Sequence, residues 1–187
     1  MVSEESNQET QDDLPRPGSA LYKLRDSDEE KRKKAIKKYK RLNKYLILPL
    51  YRIGLLPLIG FGRIFLILKT KGRKTGKRRR TPLEYHRIND VIHIFSGRGE
   101  EADWLKNIKA NPDEISVRHG FHWYPITAEF VENSSEKEEI YKWYVTEHKS
   151  SAKMLFGWDP KRDDPETTDF SQLINMVPII RLYRKSD

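Results

Sequence analysis

From Lys69 to Pro82 the chain reads Lys-Thr-Lys-Gly-Arg-Lys-Thr-Gly-Lys-Arg-Arg-Arg-Thr-Pro, the stretch whose residue types and spacing come closest to chemistry. Lys71, Arg73, Lys74, Lys77, Arg78, Arg79 and Arg80 crowd cationic groups around Gly72 and Gly76. Two glycines at a turn permit the positive φ values that gather backbone N–H groups into an anion-binding concavity. Arginine forks match phosphate and carboxylate geometry, and lysine adds a mobile point charge. The chemistry on offer is anion binding, with a phosphate or polycarboxylate as the natural guest. The same composition also serves nucleic-acid contact, a localisation signal or a merely solvated hairpin tip. A Walker phosphate loop is excluded, because three residues separate the glycines where that motif has four, and Arg78 stands where it needs Ser or Thr.

Other chemistries are poorly provided for. The chain has no cysteine, which removes thiolate nucleophiles, disulfides and iron–sulfur clusters. His86, His93, His119 and His122 do not fall at zinc-ligand spacings, and no metal site is expected. No Gly-x-Ser-x-Gly elbow frames a nucleophilic serine. Asp163, Asp164 and Glu166 read as a solvated acidic loop, and Trp123 and Tyr124 as strand aromatics.

The elements that must position the basic tip are strands. Ile64–Leu68 leads in and Leu83–Ile88 leads out, predicting a β-hairpin. A third strand, Val91–Ser96, ends in Gly97-Arg98-Gly99. A helix carrying Trp104 and Asn107 then reaches Ala110-Asn111-Pro112, and a strand follows over Glu114–His119. In this order and spacing the sequence resembles the deazaflavin-dependent nitroreductase and quinone reductase family, most closely from Leu66 to about Val131. The matching elements are Gly72 to Gly76, Arg79, Thr81-Pro82-Leu83, Ser96 to Gly99, Trp104 with Asn107, and Ala110-Asn111-Pro112.

The resemblance implies an α+β fold, a split β-barrel of the FMN-binding and pyridoxamine-phosphate-oxidase type with flanking helices. It implies an enzyme that moves a hydride from reduced coenzyme F-420 to a quinone, nitroaromatic or enone. That coenzyme has a flat tricyclic head, a phosphodiester and an oligoglutamate tail, which suits a cationic groove. Carried over residue by residue, Arg73, Lys74, Thr75 and Arg79 would hold the phosphate, and Thr81 and Pro82 would lie along the ring. Trp104 and Asn107 would close the groove. Ser96, Gly97 and Arg98 would contact ring and substrate, with Ser96 stabilising negative charge on the acceptor. The chain departs from the pattern at Gly97, where lysine is common. It departs again after the helix over Glu136–His148, where the tyrosines of familiar members give way to Met154, Phe156 and Trp158. A split-barrel enzyme using FMN, and a non-enzymatic basic module for nucleic acid or membrane, are the alternatives.

The remaining segments predict a frame around this centre. Residues 1–27 are polar and acidic and read as a disordered tail, without the apolar core of a signal peptide, which favours the cytoplasm. Residues 28–187 form one domain. Its first helix, capped at Ser27 or Asp28, places Ile36, Tyr39, Leu42 or Asn43, and Leu46 on one face and is limited by Pro49. Such a basic amphipathic helix lies against either the barrel or an anionic membrane surface. A transmembrane reading of Tyr45–Leu68 fails at Pro49, Arg52, Pro57 and Arg63. A strand runs from His122 to about Val131, then a helix over Glu136–His148 buries Ile140 and Trp143 or Tyr144. Lys149–Asn175 reads as a lid bringing Met154, Phe156 and Trp158 over the acceptor, and Met176–Tyr183 as the closing strand.

Overall fold

The computed structural model describes residues 13–25, 28–53, 55 and 64–185. The disorder expected over residues 1–12, the Ser27 cap and the breaks at Pro57 and Arg63 lie outside these residues. Seven antiparallel strands form one sheet in the order β2-β1-β5-β6-β7-β4-β3, with β1 Phe65–Lys71, β2 Arg78–Glu84, β3 His86–Ile88, β4 Val91–Phe95, β5 Ser116–His119, β6 His122–Phe130 and β7 Ile179–Arg184. The two edge strands, β2 and β3, are joined through Tyr85 alone. Edges joined by one residue require the sheet to curl until its ends meet, which is barrel closure. Strand β6 is shared, pairing with β5 over His122–Pro125 and with β7 over Ile126–Phe130. The result is a split barrel of two half-sheets hinged on β6.

Each strand's apolar pattern follows its cover. In β1 the successive residues Leu66, Ile67 and Leu68 are all buried, because both faces are covered. Leu66 and Leu68 enter the barrel core with Ile94, Leu105, Val117, Ile126 and Leu182. Ile67 packs outward on Tyr51, in a short helix α3 (Leu48–Arg52). Helix α2 (Glu29–Leu42) precedes it, capped by the Asp28 carboxylate on the amides of Glu30 and Lys31. The two are joined by one π-helical turn, Asn43–Ile47. Pro49 therefore does not end the helical run: it falls in the first turn of α3, where its missing N–H costs little.

A second core lies between the sheet and the remaining helices. Helices α5 (Ser134–Glu147) and α6 (Lys149–Phe156) bury Tyr141, Tyr144, Val145, Ala152 and Phe156 with Trp158, Phe170, Leu173 and Ile179. Asn133, rather than the adjacent serines, caps α5. Two expectations are corrected here. The disorder assigned to residues 1–27 does not hold for 13–25, which form helix α1 (Ala20–Leu24) and bury Leu14 and Leu21 in this core. Nor are 149–175 a lid. They carry α6 and α7 (Ser171–Met176), and Trp158 is buried with its indole N–H on Thr168 Oγ1. The two segments need each other, since the apolar cluster of the later one is covered by the earlier one. Arg16 locks them, pairing with Asp163 at 2.6 and 2.8 Å and donating to the Gly157 carbonyl. Gly157, at φ 82°, has no room for a Cβ, which would sit 2.7 Å from that of Arg16.

Candidate functional site

The hairpin tip is held together by its own backbone. The Gly72 amide donates to the Lys77 carbonyl at 2.9 Å, and the Thr75 and Gly76 amides turn back onto the Gly72 carbonyl. Gly76 has positive φ, whereas at Gly72 the turn is tight, a Cβ there falling 3.1 Å from the Lys77 carbonyl oxygen. The open two-glycine nest is thus corrected. Most tip amides are satisfied internally, and among the described residues the Lys74 amide is left without a protein acceptor.

Helix α4 (Asp103–Ala110) fastens the tip to the barrel. Asn107, almost fully buried, donates to Thr70 Oγ1 at 3.3 Å and accepts from the amide and guanidinium of Arg73 at 3.1 and 3.2 Å. One turn later Asn111 donates to the Lys71 carbonyl. Asp103 takes a second guanidinium nitrogen of Arg73 at 3.3 Å, and Lys40 of α2 at 3.5 Å. Partial burial pushes the Asp103 carboxyl up, but Lys40 and Arg73 outweigh it and hold it below the usual carboxylate range. Arg73 is therefore first a pin between hairpin and helix.

Between hairpin, α4 and the N-terminal helices opens a cleft of about 780 Å³. The size is that of a cofactor site. Arg73, Lys74, Thr75, Arg79, Thr81, Pro82, Gly97, Arg98, Trp104 and Asn107 all line it, so ten of the residues singled out by sequence meet in one place. Lys74, Arg79 and Arg80 make one end cationic, while Pro82, Leu83, Phe95 and Trp104 make the other end apolar. Among the described residues the Arg98 Nε, beside it, is buried without a partner. Unspent donors, a cationic end and a flat apolar end fit an elongated anion with a planar head.

Three expectations fail here. Ser96 is 1% exposed and does not border the cleft; its hydroxyl donates to the Gly99 carbonyl at 2.8 Å and shapes the turn into the 3₁₀ segment Gly99–Glu101. Met154 is exposed and Trp158 belongs to the second core, so neither reaches the cleft. Phe156 does border an inner extension of it. Sequence reasoning missed the opposite wall, formed by Leu24, Ile36, Tyr39, Lys40, Asn43, Lys44 and Leu48. The signal was present in the Ile36–Tyr39 face of α2, continued by Asn43 in the π-helical turn, which faces the cleft. No helix among the described residues is long and apolar enough to cross a membrane.

Residues 58–154 match the model of the F420H(2)-dependent quinone reductase family. Among curated proteins, F420H(2)-dependent quinone reductases of Mycobacterium tuberculosis strains H37Rv and CDC 1551 are each 36% identical over 70 residues. The match takes in 36% of this chain and 46% of theirs, so the chain spans about half the length of the curated relatives it matches. Among solved structures, an F420-H2-dependent reductase is 25% identical, covering 65% of this chain and 95% of its own, with a TM-score of 0.44.

Proposed function

The chain belongs to the F420H(2)-dependent quinone reductase family, and from that premise we propose that its cleft binds coenzyme F-420 and that it reduces a quinone-type acceptor. The observation that carries this reading is the two-ended cleft, cationic at the hairpin and apolar beside Trp104 and Phe95. Lys74, Arg79 and Arg80 would take the phosphate and the carboxylates of the tail, joined by the Lys74 amide. Pro82, Leu83 and Trp104 would bed the ring, with Ile36 and Tyr39 closing over it from α2. Bound in reduced form, the coenzyme supplies a hydride. The protein's part is to fix orientation and to keep water from the transfer. With the Ser96 hydroxyl spent on Gly99, no hydroxyl from that turn reaches the acceptor.

The test is titration of the protein with oxidised F-420, FMN and FAD in parallel, followed by turnover with reduced F-420 and a quinone or a nitroarene. The proposal expects F-420 to bind most tightly, with affinity falling as salt rises, and expects quinone turnover. Preference for FMN would move the protein to the flavin alternative, and binding of none would refute the reading.

A second reading concerns the outer face of the N-terminal helices. Leu42, Tyr45 and Leu46 are 44%, 66% and 47% exposed among lysines and arginines, which supports peripheral contact with an anionic membrane. Co-sedimentation with anionic but not neutral vesicles is the expected result. Equal recovery with both kinds of vesicle refutes it.

A further inference from the structure

A second groove lies on the outer face of the sheet. In β1, Leu66 and Leu68 point into the barrel, so Ile67 and Lys69 point out. Antiparallel pairing sets Arg80 of β2 opposite Lys69, Arg118 of β5 opposite Ile67, and Trp123 of β6 opposite Arg118. Cross-strand partners share a face, which gathers three cations around one indole. The Lys69 ammonium lies 4.7 Å and the Arg80 guanidinium 5.7 Å from the centre of the Trp123 ring. Helix α3 and the π-helical turn before it add Arg52 and Lys44. With Arg80, Arg118 and Trp123 they border a space of about 530 Å³.

The protein does not neutralise this charge itself. Elsewhere lysines at the surface meet carboxylates, as Lys71 meets Glu114 and Lys109 meets Glu100. Among the described residues, none of Lys44, Arg52, Lys69, Arg80 and Arg118 is paired with one. Burial, with Arg78 and Arg80 beside it, holds the Lys69 ammonium below the usual lysine range. An anion in the groove relieves that crowding. The flanks are apolar. Ile53, directly after Arg52, is 72% exposed, and Phe121 is 55% exposed in the two-residue turn between β5 and β6. Glycine, Asn or Asp suits such a turn, yet Phe121 stands in it and packs into none of the cores. Trp123 is exposed as well, an aromatic with an apolar body and a polar N–H.

We infer that this groove seats the phosphate of an anionic phospholipid, with Ile53, Phe121 and Trp123 entering the leaflet around it. Charge complementarity selects the headgroup, and the exposed apolar side chains select a bilayer over a free anion, which has no use for them. The inference rests on the membrane reading given above. It differs in placing the anchorage on α3 and the β5–β6 hairpin rather than on the outer face of α2. Lys44, Leu48 and Arg80 border both this groove and the coenzyme cleft. A docked molecule therefore holds that cleft beside the leaflet, and the sheet that positions the coenzyme also sets its distance from the lipid.

The test uses the full chain in two arms. In the first, monomeric short-chain phosphatidylglycerol is titrated into isotope-labelled protein beside short-chain phosphatidylcholine and the deacylated headgroup glycerophosphoglycerol. The expected result is saturable NMR shifts at the Trp123 indole N–H and the Arg52 and Arg118 amides, with affinity about tenfold or more above either control. Equal affinity for the deacylated headgroup makes the groove an anion site without a membrane and overturns the inference, as do shifts elsewhere or none. In the second arm, co-sedimentation with phosphatidylglycerol-containing vesicles compares three double variants. Arg52→Glu with Arg118→Glu, and Ile53→Ser with Phe121→Ser, should each lower partitioning by about tenfold or more at unchanged Tm. The second pair is wholly at the surface, so it tests the groove even where loss of the Arg118–Tyr51 contact unsettles the first. Full partitioning in either groove variant overturns the inference. Where partitioning is lost only in Leu42→Ser with Leu46→Ser, the contact lies on α2 and the membrane reading stands without the groove. Failure of the wild type to sediment with these vesicles overturns both.

Discussion

The two walls of the cleft are held by different physics. On the barrel side, β1 and β2 are joined through a full antiparallel register from Phe65↔Glu84 to Lys71↔Arg78, and the tip is stitched to α4 by buried Asn107. On the other side stands α2, in which no residue is buried, held across the opening by the exposed Lys40–Asp103 contact. Between these extremes α1 is fastened at its base by Arg16 and Asp163, whose side chains are only 11% and 10% exposed. A wall of paired backbone and buried amides fixes where a ligand sits. A wall held by exposed charges yields to admit it. The difference assigns positioning to the barrel side and admission to the helical side.

Each part of this contrast can be broken separately, and the largest effect belongs to the base of the helical wall. Asp163→Ala takes the carboxylate counter-charge from the nearly buried Arg16 guanidinium, leaving it the Gly157 carbonyl, which should cost about 3 kcal/mol, read as a lowered Tm. Local rather than global loss would appear as proteolysis confined to residues 13–25. An unchanged Tm and an intact segment would mean that α1 is held by Leu14 and Leu21 alone. Next comes the cationic end, where Lys74→Glu with Arg79→Glu should weaken F-420 binding by about 3 kcal/mol at low salt, attraction having become repulsion. Unchanged affinity would remove the hairpin from the coenzyme site.

Asn107→Leu tests the stitch. It strands the Thr70 hydroxyl and the Arg73 amide, and should cost about 1–3 kcal/mol of stability along with coenzyme affinity. A stability loss without an affinity loss would separate the tip's packing from its function. The smallest effect is expected for Asp103→Asn, below about 1 kcal/mol in stability because the pair is exposed. The same contact titrates. The Asp103 carboxyl is depressed in the folded protein, so its contribution is complete above the ordinary carboxylate range and is lost as pH falls through the lowered folded value. Amide resonances of α2 around Lys40 should therefore shift in strongly acidic solution, below the ordinary carboxylate range, in the wild type and not in Asp103→Asn.

The legibility of this molecule in its sequence divides along the same line. The barrel side was readable because its constraints are local. A β-run, two glycines and a second β-run dictate a hairpin, and the Trp104–Asn107 spacing puts both on one helical face. Strand β2 began earlier than expected, at Arg78, because an exposed edge next to solvent tolerates a run of arginines that hydrophobic patterning discounts. The helical side depends on contacts between distant segments. Leu14, Leu21 and Arg16 sit in a polar, acidic stretch whose composition reads as disorder, and only the apolar cluster around Trp158, more than a hundred residues away, gives them something to cover. The lid reading of 149–175 failed for the same reason, since it treated Trp158 as waiting for a substrate when it is buried in a core that Leu14 and Leu21 complete. Ser96 misled differently. Its position matched the family pattern, but nothing in a sequence tells whether a hydroxyl faces a cleft or the carbonyl three residues ahead.

The most direct test of the central claim, that the space between these walls is the coenzyme site, is backbone amide exchange with and without F-420. The account predicts increased protection on both walls, at the Lys74 and Thr75 amides and along α2 near Ile36 and Tyr39, with the larger gain on α2 because it starts unburied. Protection confined to the hairpin, or an α2 that exchanges no more slowly when F-420 is bound, would contradict it.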